Sequence, residues 1–422
     1  MKHVKQLLSA LLVLAVVLSL LPAGVLKASA AEAPAALDIG YPTFKNTELL
    51  DEVYDLSKLG VSYSEKDIMM AIYKQDLANG GDSFYMDRIL AREGVCSGNA
   101  GSNGNADGNT FLTRGRALYM YTSSPSVIGF GGNTAYHQPL GRGNLVRVLF
   151  SNADGSLTTK EDTSKRVNAP SNWSSTYSVG SNLTLDVVKF IHQENVAVTT
   201  MTLTNKSAED QAITVAADSI FATEPGKVTV NGAEQTELTG TCSSPAGLTT
   251  IYARMTGDGF EAASSDDYCW LSRDVTVPAG GSVEFKVVMA FTTEEIPEST
   301  EQYLRFAGLG NLEAVRAQKA EYNLYWAENL PYIDVPKKAV QKAIDYRWWL
   351  ERFNSLDANI PGYDYQYPVT IEGVLGYNNA IILTQPMHLQ DTKWLRSPYL
   401  AYGQLLSAGN SSQSSAFLDN PG

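Results

Sequence analysis

The chain has 422 residues and a formal net charge of −13 at neutral pH, with 44% hydrophobic and 10% aromatic residues. That acidity argues against nucleic acid and anionic membrane as partners, and it is compatible with a neutral polysaccharide. The length favours two domains over one.

Lys2 and Lys5 form a basic start, Leu7 to Leu21 is apolar, and Ala28-Ser29-Ala30 is a small-residue cleavage site. We read residues 1–30 as a secretory signal peptide cleaved near Ala30, which makes the mature protein secreted or cell-surface. Losing Lys2, Lys5 and Lys27, and no acid, takes the charge from −13 to −16. The apolar run is short for a membrane anchor, and no later run is long enough to cross a bilayer, so no membrane span is expected.

The three cysteines are Cys96, Cys242 and Cys269. An odd count leaves at least one thiol free. Cys242 and Cys269 share a strand-rich region, where a disulfide and two unpaired core thiols both fit. CxxC and HExxH spacings are absent, and His3, His137, His192 and His388 are scattered. No metal and no cofactor is therefore expected.

Residues 32–94 mix short apolar runs with polar turns, and Ser64-Glu65-Lys66-Asp67 reads as a helix start. Residues 97–110 are rich in glycine and asparagine and lack the GxxxxGK[ST] pattern of a phosphate loop, so a flexible surface loop is expected. From Phe111 to Phe291, runs such as LTLDVVKFIH, NVAVTTMTLTN and SVEFKVVMAF are rich in Val, Thr, Ile and Phe, and several alternate apolar with polar. Turn clusters such as Glu224-Pro225-Gly226 separate them. We read residues 31–296 as an antiparallel β-sandwich domain.

Residues 297–335 then read as a helical linker broken near Gly308–Gly310. Residues 336–422 open an α domain. One helix runs to about Leu356 with Ala339, Ile344, Trp348 and Phe353 inward, and the next from Met387 to Leu406. The tail SSQSSAFLDNPG offers no closing helix. We therefore expect the gene product to continue past Gly422, or this last segment to be poorly ordered.

Between those two helices lies an aromatic, acidic loop. Tyr363, Asp364, Tyr365, Tyr377, Asn378 and Asn379 set rings beside carboxylates and amides. Rings stack on the C–H faces of a sugar, and its hydroxyls need polar partners. Substrate binding is expected from these six residues together with Trp348, His388 and Asp391. Of the adjacent Trp348 and Trp349, one is expected in the core and the other at the site. Arg347 and Arg352 could pair with loop carboxylates or with sugar oxygens. Glu372, in VTIEGVLGYNN, is the candidate catalytic carboxyl; its alternative is to cap local backbone N–H groups. For Asp391 the alternative is a structural carboxylate at a helix start.

A many-stranded sandwich, a helical linker and helices with aromatic, acidic loops together resemble the N-terminal part of six-hairpin glycosidases. In these an (α/α)6 toroid follows the sandwich. The stretch YPVTIEGVLGYNNAIILTQPMHLQDTKWLR is similar to bacterial exported members of the clan of glycoside hydrolase families 63 and 121. The former act on α-glucosides and related sugars, the latter on β-L-arabinosides. The architecture covers about Phe111 to Gly422 and the motif about sixty residues. The resemblance implies a carbohydrate substrate and an acid and a base facing each other across the sugar, whose separation sets the stereochemical outcome. It also implies that most of that machinery comes from later loops of the toroid, so little activity is expected of this chain alone.

Two other readings stay open. A non-catalytic, secreted carbohydrate-binding sandwich would bind glycan through Phe111–Phe291 alone. A polysaccharide lyase would place its toroid before its sandwich, the reverse of this order.

Overall fold

The computed structural model describes residues 110–111, 115–122, 127–136, 138–169, 171–223, 228–243, 249–266, 268–330, 336–360, 366–371, 381 and 383–411. The expected signal peptide, Cys96, the expected helix start after Ser64 and the glycine-asparagine run up to residue 109 lie outside these residues.

The strands in chain order are β1 (Thr110–Phe111), β2 (Leu118–Thr122), β3 (Gly129–Tyr136), β4 (Gln138–Asn152), β5 (Gly155–Ser156), β6 (Thr159–Asn168), β7 (Trp173–Val179), β8 (Leu183–His192), β9 (Val196–Asn205) and β10 (Gln211–Ser219). There follow β11 (Thr229–Glu234), β12 (Glu237–Ser243), β13 (Thr250–Gly257), β14 (Glu261–Ser265), β15 (Tyr268–Val277) and β16 (Ser282–Thr292). The short strands β17 (Ser355–Leu356) and β18 (Val369–Thr370) pair with each other. The helices are α1 (Ile220–Thr223), α2 (Glu298–Gly308), α3 (Asn311–Asn329), α4 (Lys338–Phe353), α5 (Gln385–Thr392) and α6 (Tyr399–Ser411).

Two eight-stranded sheets make the sandwich. The first runs β1-β2-β3-β4-β10-β15-β14, with β5 beside β4; the second runs β11-β12-β13-β16-β9-β8-β7-β6. Among the described residues every strand pair is antiparallel. Alternation places Ile213, Val215 and Ala217 of β10 and Leu185 and Val187 of β8 in the shared core. Strands β9 and β16 are largely buried on both faces, which in β16 shows as the continuous apolar run Val287–Phe291. Their outer side chains Val196, Val198, Val288 and Ala290 pack with Phe190 under Tyr303, Phe306 and Ala314 of α2 and α3. The helical linker is thus a third layer, on the second sheet.

Several strands have no apolar signature in the sequence. Strand β3 reads GFGGNTAY; Gly129 has φ +99°, and a Cβ there would sit 2.3 Å from the Val146 carbonyl oxygen. Strands β6 (TKEDTSKRVN) and β14 (EAASS) are edge strands, where polar and charged residues block further pairing.

The helix break expected near Gly308–Gly310 falls between α2 and α3. The single helix expected over Met387–Leu406 is corrected to two, α5 and α6. Pro398 separates them: it has no N–H to donate, and its ring disfavours a helical residue before it. Cys242 and Cys269 sit on opposite sheets, both buried and both free, so the unpaired alternative holds. Burial pushes the Cys242 thiol up to about 12.

Among the described residues, an ionisable side chain lies in the sandwich core. Lys189 of β8 donates from Nζ to the carbonyls of Val127 (2.9 Å) and Gly129 (2.7 Å), with its nitrogen over the Trp173 and Phe130 rings.

Candidate functional site

The chain after α4 docks on one end of the sandwich. Leu356, Ala358, Ile360, Val369 and Ile371 join the sandwich core, leaving Asp357 and Asn359 on the other side of the strand-like run. The Asp357 N–H donates to Arg116 O (2.9 Å), and Asn359 Nδ2 donates to Glu295 O (3.2 Å). Arg116 then pairs with two carboxylates, Asp357 (3.1 Å) and Glu194 (3.2 Å), while the Tyr399 hydroxyl donates to Asp357 (3.0 Å). Burial opposes the Arg116 charge, but the two carboxylates outweigh it and hold the guanidinium protonated. This cluster ties the turn before β9, the start of β2, the α4 exit and α6 together.

Helices α4 and α5 face each other through paired polar side chains. At the exposed end, Arg347 donates from two nitrogens to the Asp391 carboxylate, Nε at 3.2 Å. Trp348 Nε1 donates to Asp391 O (3.0 Å). Deeper, Glu351 Oε1 meets His388 Nδ1 at 3.0 Å. One turn further along, Asn354 and Gln385 follow at the same helical spacing. From α6, Gln404 Nε2 donates to Thr370 Oγ1 (2.8 Å). Gly403 permits that approach, because a Cβ there would lie 2.1 Å from Pro368 O. Gly403→Ala is expected to push α6 off β18 and cost about 1–3 kcal/mol. Urea denaturation reads this, and an unchanged midpoint would contradict the close packing.

Glu351 Oε2, Asn354 Oδ1, Gln385 Oε1 and Nε2, His388 Nε2 and Gln404 Oε1 are shielded from solvent and have no hydrogen-bond partner among the described residues. A buried polar atom left this way costs about 1–3 kcal/mol. Six such atoms together approach the whole stability of a domain, about 5–15 kcal/mol. They therefore call for a partner. Four are acceptor oxygens, one is an amide donor, and with Nδ1 donating to Glu351 the neutral imidazole accepts at Nε2. A hydroxyl both donates and accepts, so water or a polyol answers this set. An anion would face four oxygens, one of them on a carboxylate. Among the described residues no group of three or more His, Cys, Asp or Glu is arranged to hold a metal ion.

Of the expected site residues, His388 and Asp391 fall on this interface. Asp391 is occupied by Arg347 and lies near the C-terminal end of α5, rather than at a helix start. Trp348 is buried, as is Trp349, whose indole donates to Tyr322 OH (3.0 Å). Both tryptophans are core, and the exposed one is Trp394. Arg352 stacks over Tyr325, 3.6 Å from the ring centroid. Tyr363, Asp364, Tyr365, Glu372, Tyr377, Asn378 and Asn379 lie outside the described residues. The description stops at Ile371, whose N–H donates to Asn354 O (3.0 Å), beside the unpartnered Asn354 Oδ1. Sequence reasoning missed Glu351, Asn354, Gln385 and Gln404. Their signal is polar pairs three apart, Glu351/Asn354 and Gln385/His388, on otherwise helical stretches.

No family model matches the chain. Solved structures similar to it include a protein described as a kojibiose phosphorylase from the human microbiome, at 10% identity and TM-score 0.44 over 58% of this chain and 37% of that one. A family GH92 inverting mannosidase from Bacteroides thetaiotaomicron shows 13% identity and TM-score 0.38 over 63% and 41%. A GH92 family glycosyl hydrolase, ccman5, shows 12% identity and TM-score 0.35 over 64% and 41%. The chain spans about two fifths of the length of these structures. They have six-hairpin glycosidase-like folds. The sandwich-then-helices order here stands on the chain's own sheets and helices.

Proposed function

We propose that this chain supplies the sandwich and the opening helical hairpin of an exported enzyme that cleaves O-glycosidic bonds, with sugar hydroxyls bound between α4, α5 and α6. One observation carries the reading: six buried polar atoms without a partner among the described residues, in a mixture that suits hydroxyl groups and disfavours anions. The rings Tyr363, Tyr365 and Tyr377 on either side of Ile371 in the sequence support it, because rings and hydroxyl partners together make a sugar site. Glu372 is the proposed catalytic carboxyl, with Tyr363, Asp364, Tyr365, Tyr377, Asn378 and Asn379 lining the substrate. A second carboxyl across the glycosidic bond completes the acid/base pair. Residues 1–30 direct export.

The test uses the protein as its source secretes it, with a panel of neutral oligosaccharides. Release of free sugar that Glu372→Gln abolishes is the expected result. Release unaffected by that substitution would end the role of Glu372. Binding of none of the panel would end the sugar reading.

A further inference from the structure

The two outer faces of the sandwich differ in kind. On the second sheet the outer face carries an apolar patch, Phe190, Val196, Val198, Val288 and Ala290, that is covered by α2 and α3. On the first sheet the outward positions are the even-numbered residues of β10 and β15 and the odd-numbered residues of β4 from Arg147 onward, because the opposite parity fills the core. Pairing aligns them in rows. Trp270 lies level with Asp218, and Asp218 with Arg147. Tyr268 is the next outward residue of β15 and is 44% exposed, as is Leu149 of β4. Trp270 is partly exposed. Its cross-strand neighbour on β14 is Ala263, and Ser272 follows it outward on β15, so small side chains flank the ring.

We propose that this face is a second carbohydrate-binding surface, on which a neutral polysaccharide chain lies across Tyr268 and Trp270. A protein partner would call for an apolar patch like the one that α2 and α3 cover on the second sheet. Here two rings and one leucine are set among hydrogen-bonding groups. The Arg147–Asp218 pair is closed by two hydrogen bonds, Nε to Oδ1 at 3.1 Å, and so neutralises itself. Thr214 donates to Asp274 Oδ1 (2.6 Å), leaving Asp274 as an exposed negative group. With Glu261 also exposed on this face, its charge disfavours an anionic glycan. Sugar C–H faces match the rings, and hydroxyls match the Asp274, Ser272 and Arg147–Asp218 groups. This surface is independent of the α4–α5–α6 cluster. It holds polymer and has no part in cleavage.

Affinity electrophoresis of the full chain in gels containing soluble starch, glucomannan, arabinoxylan or polygalacturonate tests this directly. At least one neutral polymer is expected to retard the protein, and polygalacturonate is not. Tyr268→Ala with Trp270→Ala should weaken the retardation about ten-fold or more, while Trp270→Phe keeps most of it. The melting temperature checks that each variant is folded. Retardation should persist in Glu351→Gln, which separates this surface from the proposed sugar cluster. No retardation in any neutral gel, or equal retardation of the double alanine variant, overturns the proposal. So does sedimentation as a dimer that the double variant converts to monomer, which would assign the face to a second copy of the chain.

Discussion

Glu351→Gln is expected to lower the affinity of the chain for a neutral sugar by about ten-fold or more, while shifting the melting temperature by only a few degrees. Glutamine keeps the size of the side chain, and its amide oxygen still accepts from His388 Nδ1. What changes is the second oxygen, which has no partner among the described residues. As a carboxylate it accepts from a ligand hydroxyl in a charge-assisted bond, worth about 1.5–3 kcal/mol. As an amide it offers N–H donors in place of that acceptor, and the charge-assisted bond is lost. Calorimetric titration alongside thermal melting separates the two effects. Equal affinity of both proteins would mean that the cluster is filled by water alone.

Lys189 carries the second large effect, and it is read through pH. Burial pushes its amine down from 10.5 to about 7, with Glu161 opposing that shift and Arg166 adding to it. A neutral amine has two N–H groups, matching the two carbonyls it meets at Val127 and Gly129. Between pH 7 and 10.5 the unfolded chain therefore binds a proton that the folded chain does not. Stability rises with pH across that window, by about 1.4 kcal/mol per pH unit from this group, and is flat below it. Lys189→Met removes the slope. Urea unfolding of both proteins at pH 7.5, 8.5 and 9.5 should show wild type gaining on the variant at each step. Parallel curves would mean that the amine stays charged inside the sandwich.

The parts of the fold that the sequence shows are those where local pattern and burial agree. LTLDVVKFIH and SVEFKVVMAF are strands because their neighbours bury them, and their composition says so. The break at Gly308–Gly310 is visible because glycine ends helices for local reasons. Strand β3 is hidden by its glycines, and β6 and β14 by the polarity that edges require. The tryptophan pair misleads in another way. Adjacent helical residues point about 100° apart, which suggests one ring inside and one outside. Here Trp348 faces α5, Trp349 packs on Phe353, and both are enclosed. The polar cluster was least legible of all. Glu351 and His388 are 37 residues apart, and Arg116 and Asp357 are 241 apart, so only folding brings them together.

The claim on which the functional reading rests is that His388, Glu351 and their unpartnered neighbours bind sugar hydroxyls. Imidazole NMR reads this at the site itself, because the chain holds only four histidines and His388→Gln identifies the signal. Titration with a panel of neutral mono- and oligosaccharides is predicted to move the His388 signal saturably with at least one of them, and Glu351→Gln to weaken that response. A His388 signal unmoved by every sugar, at concentrations that saturate ordinary sugar sites, would contradict the account.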